Sequence, residues 1–307
     1  MIKHLLAWNV HAVSNSVTRI QAPFDIRLQI QNTVSLPLLS SSCRDLMQMM
    51  SADSVDLDQF VEIVERDPLL TIQIFRAANS AFYNYRGKLE SINEAVVRVI
   101  GMDKALFIAL GLATANSLLC DESGCLGMKT FWIHAHATNR LLTRLCFLAD
   151  PLEESGAEIQ LAGLLHNIGY PLLGHFYPDV HYQLGKLIQD NPIISNLIIE
   201  KFSLGISHCE IGAWLSKAWE LPESVSCVIL NHHDGEYRQK YWRLNLMVHV
   251  CDNLLASHSV GVDALRSLDK YALTALAIDN SALDQLRQEV PAIIESTLLL
   301  ADQIFDS

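Results

Sequence analysis

The chain has 307 residues and is half hydrophobic, so it is long and apolar enough to bury a substantial core. Its 34 Asp plus Glu residues outnumber 22 Lys plus Arg, which gives a formal net charge of -12. Because that charge repels a phosphate backbone, we expect no nucleic acid as the main partner.

Cysteine usage and the first residues predict a cytoplasmic protein. The seven cysteines are odd in number and form no Cys-x-x-Cys pair, which is typical of reduced thiols. The N-terminal segment contains His11 and Arg19 and lacks the long apolar core of a signal peptide. The stretch nearest to a membrane span, Ala105 to Cys120, is shorter than the usual ~20 residues and contains Asn116. We therefore predict a buried core helix there and no membrane segment.

The predicted elements, taken in chain order, are helices. A capping box places Ser, Thr or Asp at the helix start and Glu or Gln three residues later, so that the two residues exchange hydrogen bonds with each other's backbone. This pattern occurs at Asp56-Leu-Asp-Gln59, Ser91-Ile-Asn-Glu94 and Ser207-His-Cys-Glu210. Strand signals are scarce, so these starts predict a mainly helical chain.

Further helix boundaries follow from proline and glycine. Asp67-Pro68 puts proline at the first helical position, and Pro222 is placed to begin another helix. Gly101 is placed to end the helix before it. Apolar residues from Phe60 to Val64 recur at helical spacing. The fold class predicted is all-α, a multi-helix bundle.

A change in composition predicts two helical lobes. The turn-like stretch Asp121 to Gly127 precedes a histidine-rich region, since all of the twelve histidines except His4 and His11 lie between His134 and His258. We predict an N-terminal helical lobe over residues 1–125 and a second lobe over residues 126–307. Residues 1–33 are expected to add helix to the first lobe.

The second lobe carries a constellation of histidines on apolar stretches. Helical proteins usually build metal sites from side chains that point into the bundle, and buried polar groups need partners. Imidazole and carboxylate ligands together suit Zn, Fe, Mn or Ni. The candidate ligands are His134, His166, Asn167, His208, His232, His233 and Asp252.

The ordinary alternative for each histidine stays open. A single histidine on a helix is more often hydrogen-bonded to a carbonyl group or exposed at the surface, and Asp252 could simply orient a histidine. Five histidines are assigned to this ordinary class: His4, His11, His175, His181 and His258.

The order of the candidate ligands resembles the HD superfamily of metal-dependent phosphohydrolases. There a helix histidine, a His-Asp pair and a later aspartate hold the metal, which the resemblance assigns to His134, His166 and Asp252. A branch of cyclic-dinucleotide phosphodiesterases has further histidine ligands and a Gly-Tyr-Pro motif. The resemblance extends the set to His208, His232 and His233. The sequence Gly169-Tyr-Pro171 is interpreted as a coincidental match.

The chain also resembles a more specific family, the HDOD or HD-related output domain of bacterial signalling proteins, from about Leu36 to Asp252. The matching segments are Leu36-Pro37, Arg66-Asp-Pro-Leu69, Ala77-Ala-Asn-Ser-Ala-Phe82, Ser91-Ile-Asn-Glu-Ala-Val96, Gly163-Leu-Leu-His166, Trp219-Glu-Leu-Pro222 and Asn231-His-His233. The resemblance implies a regulatory or scaffolding module with a degraded metal site and signalling proteins as partners.

Conspicuous first-lobe residues have structural interpretations. Asn79-Ser80 is interpreted as a helix cap or turn, because both side chains can bond nearby backbone. Phe75, Phe82 and Tyr83 are interpreted as core residues. None of them is assigned a catalytic role.

Asn167 stands where the superfamily has the aspartate of the pair. Asparagine retains a carbonyl oxygen, but it is neutral and its amide group offers hydrogen-bond donors. It would bridge two divalent cations poorly, so we predict one bound metal or none. A single ion could be held by His134, His166 and Asp252, assisted by the other histidines.

Two hypotheses follow. The leading one is a non-catalytic or weakly catalytic signalling module that binds partner proteins, with a divalent transition metal as a structural element. The alternative is an active metal-dependent phosphohydrolase, with a nucleotide or cyclic dinucleotide as the phosphate ligand. Asn167 and the first-lobe likeness favour the former.

Overall fold

The computed structural model describes residues 37–52, 54–256 and 270–305. Every regular element in these ranges is a helix and none is a strand, which confirms the predicted all-α class. Among the described helices, none combines the length and apolar character that a bilayer crossing requires. The predictions for residues 1–33, His4, His11 and His258 fall outside these ranges.

Six helical elements precede residue 125, and ten follow it in the described ranges. The first set is α1 (Ser41–Met50), α2 (Leu57–Glu65), α3 (Pro68–Ala78), α4 (Ile92–Ala95), a π-helical turn (Val96–Ile100) and α5 (Met102–Asn116). The second set is α6 (Met128–Leu148), α7 (Gly156–Leu165), α8 (Gly169–Phe176), α9 (Pro178–Asp190), α10 (Asn196–Ser203), α11 (His208–Ala218), α12 (Glu223–Asn231), α13 (Trp242–Ala256), α14 (Lys270–Ala275) and α15 (Asn280–Phe305).

The predicted helix starts are confirmed, with one complete capping box among the three patterns. Ser207 and Glu210 exchange both hydrogen bonds at the start of α11. Ser91 accepts from the Glu94 backbone N–H, but the Glu94 carboxylate accepts from Glu90 instead. Asp56 accepts from the backbone of Asp58. At each of the three starts a side chain caps the first turn by accepting from a backbone N–H, even where the return hydrogen bond of the capping box is missing.

A further capping box, beyond the three predicted patterns, begins α7. The Ser155 hydroxyl accepts from the Glu158 backbone N–H, and the Glu158 carboxylate accepts from the Ser155 backbone N–H. We expect Ser155→Ala to lower the free energy of unfolding by about 1 kcal/mol in urea titration, because the first turn loses its cap. Ser281→Ala is the matched control, since Ser281 is exposed in the first turn of α15. Equal losses in the two variants would contradict the prediction.

Helix α6 lies at the centre of the packing. It has 21 residues and contacts α5, α7, α8, α13 and α15. The 26-residue α15 runs back along α6 and also contacts α3, so the end of the described chain packs against a helix from its first half. Helix α5 is buried along most of its length, which confirms the predicted core helix.

One hydrophobic cluster extends from Leu39 to Ile304 and takes residues from both sides of position 125. A second cluster packs α13, α14 and α15 against α6. The division into lobes at residue 125 stays a prediction.

Two glycines bring α8 and α11 close together beside the candidate site. A Cβ atom on Gly169 would lie 1.9 Å from the carbonyl oxygen of His208 and 3.0 Å from the backbone nitrogen of Gly212. Such distances leave no room for a larger side chain. This close approach sets the first residue of α11 against the segment that follows His166 and Asn167.

Candidate metal centre

The predicted ligands come together from five helices. Each lies within a helix or where one begins or ends: His134 in α6, His166 and Asn167 after α7, His208 at the start of α11, His232 and His233 after α12, and Asp252 in α13. All seven side chains are buried, including that of His233, which is 4% exposed. Their role as ligands stays a prediction, but their convergence is a property of the fold.

The first group consists of His134, His166 and Asp252. The Nε2 atom of His134 lies 2.9 Å from Oδ1 of Asp252 and 3.1 Å from Nε2 of His166. One ligand atom from each residue falls within 4.8 Å of the others, a separation that one ion could bridge.

The second group adjoins the first and consists of His208, His232, His233 and Cys209. Nε2 of His208 lies 3.2 Å from Nε2 of His233 and 3.5 Å from Nε2 of His232. The Cys209 sulfur is 3.4 Å from the same nitrogen. The groups meet where Nδ1 of His233 lies 3.6 Å from Oδ2 of Asp252.

Cys209 is absent from the sequence-based ligand set. Its sulfur is a soft donor of the kind that Zn and Fe accept. The available signal was its position directly after His208, where the first turn of a helix brings both side chains to one end. An isolated cysteine in a chain with seven gives little reason to single it out.

Three imidazoles are oriented from behind by hydrogen-bond acceptors. Nδ1 of His166 donates to the Gly163 carbonyl oxygen at 2.9 Å, and Nδ1 of His232 donates to the Val228 carbonyl oxygen at 3.1 Å. Nδ1 of His208 lies 2.9 Å from both carboxylate oxygens of Glu200. A carbonyl oxygen only accepts, so the neutral rings of His166 and His232 direct an Nε2 lone pair into the site. This is the arrangement found behind metal-bound histidines.

Asn167 occupies the lone pair that a metal would need at His166. Its Nδ2 atom lies 3.1 Å from Nε2 of His166 and can donate a hydrogen bond to it. Its Oδ1 atom is buried with no hydrogen-bond partner among the described residues. The side chain thus stabilises His166 in the metal-free protein and leaves a carbonyl oxygen unsatisfied, which a cation could complete.

Glu200 is a fully buried carboxylate that sequence reasoning missed. It accepts from the His208 backbone N–H at 2.8 Å, from His208 Nδ1, and from the Tyr170 hydroxyl at 2.6 Å. The Tyr170 ring stacks on His208 with centroids 4.2 Å apart. Tyr170 belongs to the Gly-Tyr-Pro stretch interpreted as a coincidental match, so that stretch contributes to the site whatever its likeness to a motif. A lone acid after Leu197-Ile-Ile was the only local signal for Glu200.

Burial and neighbouring groups shift the pKa values of His166, His232 and Asp252. Burial lowers the pKa of His166 to about 3, helped by the neighbouring His134, and burial also holds the pKa of His232 well below its usual value. Burial raises the pKa of Asp252, but the His134 hydrogen bond and the neighbouring histidines together outweigh burial and hold the carboxyl pKa well below its usual range. Two neutral imidazoles and a carboxylate are the protonation states that metal binding requires.

His208 differs from its neighbours. Burial lowers its pKa, but Cys209 and then Glu200 outweigh burial, and the pKa lies well above its usual value. The metal-free second group therefore contains an imidazolium paired with a buried carboxylate.

Acidification should destabilise the metal-free protein. Unfolded histidines bind protons near pH 6.5, whereas native His166 and His232 do so only at lower pH, so the unfolded state binds more protons below about pH 6.5. The unfolding free energy should fall by roughly 1.4 kcal/mol per pH unit for each group between about pH 6 and 4. His208 is protonated in both states there. Urea titrations with chelator at pH 6 and 5 test this, and His166→Gln should reduce the slope; a flat profile would contradict it.

Access to the centre is narrow on the side of His134 and Asn167. The cavity there measures about 20 Å³ and is lined by Cys125, Leu126, Thr130, Phe131, His134, Asn167 and Tyr170. A space of this size holds about one water molecule. Ligand pockets for organic molecules are of order 300 Å³ or more.

Three histidines outside the ligand set make ordinary hydrogen bonds. His175 Nδ1 accepts from the Leu119 backbone N–H at 2.9 Å, and His181 Nε2 lies 3.1 Å from the Leu126 carbonyl oxygen. These contacts agree with the ordinary assignment of the two residues, which stays a prediction. His249 donates from Nδ1 to the His232 carbonyl oxygen at 2.8 Å and so helps to hold the end of α12.

Comparison with known proteins gives matches of sequence and of fold. The HDOD domain family matches residues 36–235. An uncharacterized protein of Treponema pallidum (strain Nichols) is 26% identical over 231 residues, which are 71% of this chain and 44% of that protein. The chain therefore spans less than half the length of this relative.

Two solved structures share the fold. A candidate signal transduction protein from Marinobacter aquaeolei VT8 has a TM-score of 0.76 and 23% identity, covering 96% of this chain and 65% of its own. The match thus leaves about a third of that protein uncovered. A candidate phosphohydrolase from Shewanella amazonensis SB2B has a TM-score of 0.65 and 21% identity, covering 90% of this chain and 97% of its own.

Proposed function

Because the chain belongs to the HDOD family, whose domain matches residues 36–235, we propose that it acts as a non-catalytic regulatory domain of signal transduction. In this proposal a divalent transition metal ion ties the site helices together, and other signalling proteins bind the surface. The likeness to a candidate signal transduction protein agrees with this assignment.

Occlusion of the centre is the observation that carries the proposal. All seven predicted ligands have buried side chains, and the adjoining cavity of about 20 Å³ is far smaller than a nucleotide requires. A hydrolase must bring a phosphate ester and water to its metal. A structural ion needs neither, since closed coordination is typical of structural sites.

The residues present fit a metal ion. The Nε2 lone pairs of His166 and His232 point into a buried centre, and the Asn167 carbonyl oxygen there has no hydrogen-bond partner among the described residues. Nitrogen, carboxylate and sulfur donors together suit Zn, Fe, Mn or Ni. His134, His166 and Asp252 would hold one ion. Its positive charge would balance the Asp252 carboxylate and bind the imidazole nitrogens.

An active phosphohydrolase is the second candidate function. It is favoured by the second group of His208, Cys209, His232 and His233 beside the first, since two adjacent metal positions are typical of phosphate-ester hydrolysis. The likeness to a candidate phosphohydrolase agrees with it. Such activity would require the segment that covers the centre, which includes Cys125 and Leu126, to open.

One experiment separates the two. The purified protein is loaded with Mn2+, Fe2+, Zn2+ or Ni2+, and its melting temperature and turnover of cyclic dinucleotides and nucleoside phosphates are measured. We expect a raised melting temperature with at least one metal, bound at about one ion per chain, and no turnover. His166→Ala should abolish the thermal shift.

Turnover that disappears in His166→Ala would overturn the regulatory proposal, because it would assign the activity to this centre rather than to a contaminant. If none of the four metals raised the melting temperature, the proposal that a metal ion ties the site helices together would be overturned. The control His175→Ala should behave as the natural chain, since His175 bonds only to backbone outside the centre.

A further inference from the structure

A cavity of about 440 Å³ lies on the other side of α6 from the metal centre. Its volume falls within the range of small-molecule pockets. Three helices, α5, α6 and α15, supply most of its lining, together with Phe82, Tyr83 and Gln160. None of the seven predicted metal ligands lines it, so the cavity is separate from the centre described above.

The charge of the lining contrasts with that of the chain. Lys104, Arg140 and Arg144 line the cavity against the carboxylates of Asp103 and Glu289, an excess of one positive charge in a chain of net charge -12. A positive concavity on an acidic protein attracts anions.

The two arginines of the lining differ in whether a carboxylate already pairs with them. The Arg144 guanidinium is paired with both Glu289 oxygens, at 2.7 Å each. Arg140 donates to the Ser296 hydroxyl and to the Ile293 carbonyl oxygen at 3.4 Å, and it has no carboxylate partner among the described residues. Burial lowers the Arg140 pKa, while Tyr83 opposes that effect. An arginine stays charged, so its partly desolvated cation lacks a counterion.

The remaining walls are aromatic and apolar. Phe82 and Tyr83 pack edge to face with centroids 4.7 Å apart, and the Arg140 guanidinium lies 5.8 Å from the Phe82 centroid. His136 stacks on Trp132 at 3.7 Å, and burial lowers its pKa to about 3, so it adds a neutral flat ring. Flat apolar walls beside a guanidinium without a carboxylate partner suit a planar molecule that carries an anionic group.

We propose that this cavity binds a small aromatic anion of the size of a nucleoside monophosphate, with its anionic group on Arg140 and its ring against Phe82 and Tyr83. Lys104, exposed at the rim, adds a second positive charge for the anionic group. Asn139 and Gln160 line the same cavity. The Asn139 amide nitrogen donates to the Gln160 carbonyl oxygen at 2.9 Å, and its Oδ1 atom, which has no hydrogen-bond partner among the described residues, can accept from the polar edge of the ring.

Isothermal titration with AMP, GMP, CMP and UMP, in the presence of chelator, tests the proposal. We expect at least one to bind, and its nucleoside without phosphate to bind about tenfold more weakly or not at all. Arg140→Gln should lower the affinity for that nucleotide by about tenfold. Thr143→Trp should abolish binding, because Thr143 is exposed on α6 at the cavity and the larger side chain would fill it.

Arg98→Gln is the control, because Arg98 is an exposed arginine paired with Glu94 and does not line the cavity. The fold of each variant is checked by its melting curve, which keeps Thr143→Trp informative if Arg140→Gln unfolds. Failure of all four nucleotides to bind at millimolar concentration would overturn the proposal. So would equal binding of nucleotide and nucleoside, or binding that Arg140→Gln and Thr143→Trp leave unchanged.

Discussion

Replacing Asn167 with aspartate should tighten the binding of a divalent transition metal by roughly 10- to 100-fold, the range over which single groups around a metal ligand act. In the natural chain the Asn167 amide donates to Nε2 of His166 at 3.1 Å, so a metal must displace that hydrogen bond. A carboxylate cannot donate, and it adds a negative charge to a centre with Asp252 as its other carboxylate. Both effects favour a cation.

Competition titrations with a metal chelator, for Zn2+ and Mn2+, measure the change. Asn231→Asp is the matched control, because it adds the same charge next to His232 while its amide bonds to the Cys227 carbonyl oxygen outside the centre. Equal affinities of Asn167→Asp and the natural chain would show that the amide does not limit metal binding.

Glu200→Ala should destabilise the metal-free protein by about 3–5 kcal/mol, the cost of leaving one member of a buried ion pair without its partner. Glu200 is fully buried and accepts from His208 Nδ1, from the His208 backbone and from the Tyr170 hydroxyl. Its removal takes the acceptor away from these three donors and leaves the buried His208 imidazolium without its carboxylate.

Urea unfolding in the presence of chelator gives the value, with two comparison variants. Glu200→Gln keeps the side-chain size and an acceptor oxygen, so it should lower the unfolding free energy by less than Glu200→Ala does. Glu65→Ala removes an exposed acid and should change the unfolding free energy by less than about 0.5 kcal/mol. A loss for Glu200→Ala no larger than that for Glu65→Ala would contradict the assigned role.

The helices could be predicted because their signals are local. Asp67-Pro68 and Ser207 cap helices through backbone groups within three residues of themselves, and the structure confirms both starts. Asn79, interpreted as a cap, indeed ends α3 and bonds to the Phe75 carbonyl oxygen. The candidate ligands could be singled out because imidazoles on apolar helices are uncommon without a partner.

The parts that could not be predicted depend on contacts between distant residues. The salt bridge between Glu200 and His208 arises because α10 and α11 bring them together, and neither residue's neighbours indicate the pair. Phe82 and Tyr83, predicted as core residues, are only half-buried and line the cavity beside α6. Tyr83 still packs against the large hydrophobic cluster, as predicted, whereas Phe82 lies outside that cluster.

Helix α6 is a single element of 21 residues that borders both sites. His136 and Arg140 lie about 200° and 240° around the helix from His134, so the metal centre and the cavity occupy opposite faces of one cylinder. A rotation or shift of that helix would move both sets of side chains together. Thermodynamic linkage then sets a strict condition: if an occupant of the cavity changes metal affinity by some factor, the metal must change the affinity of that occupant by the same factor.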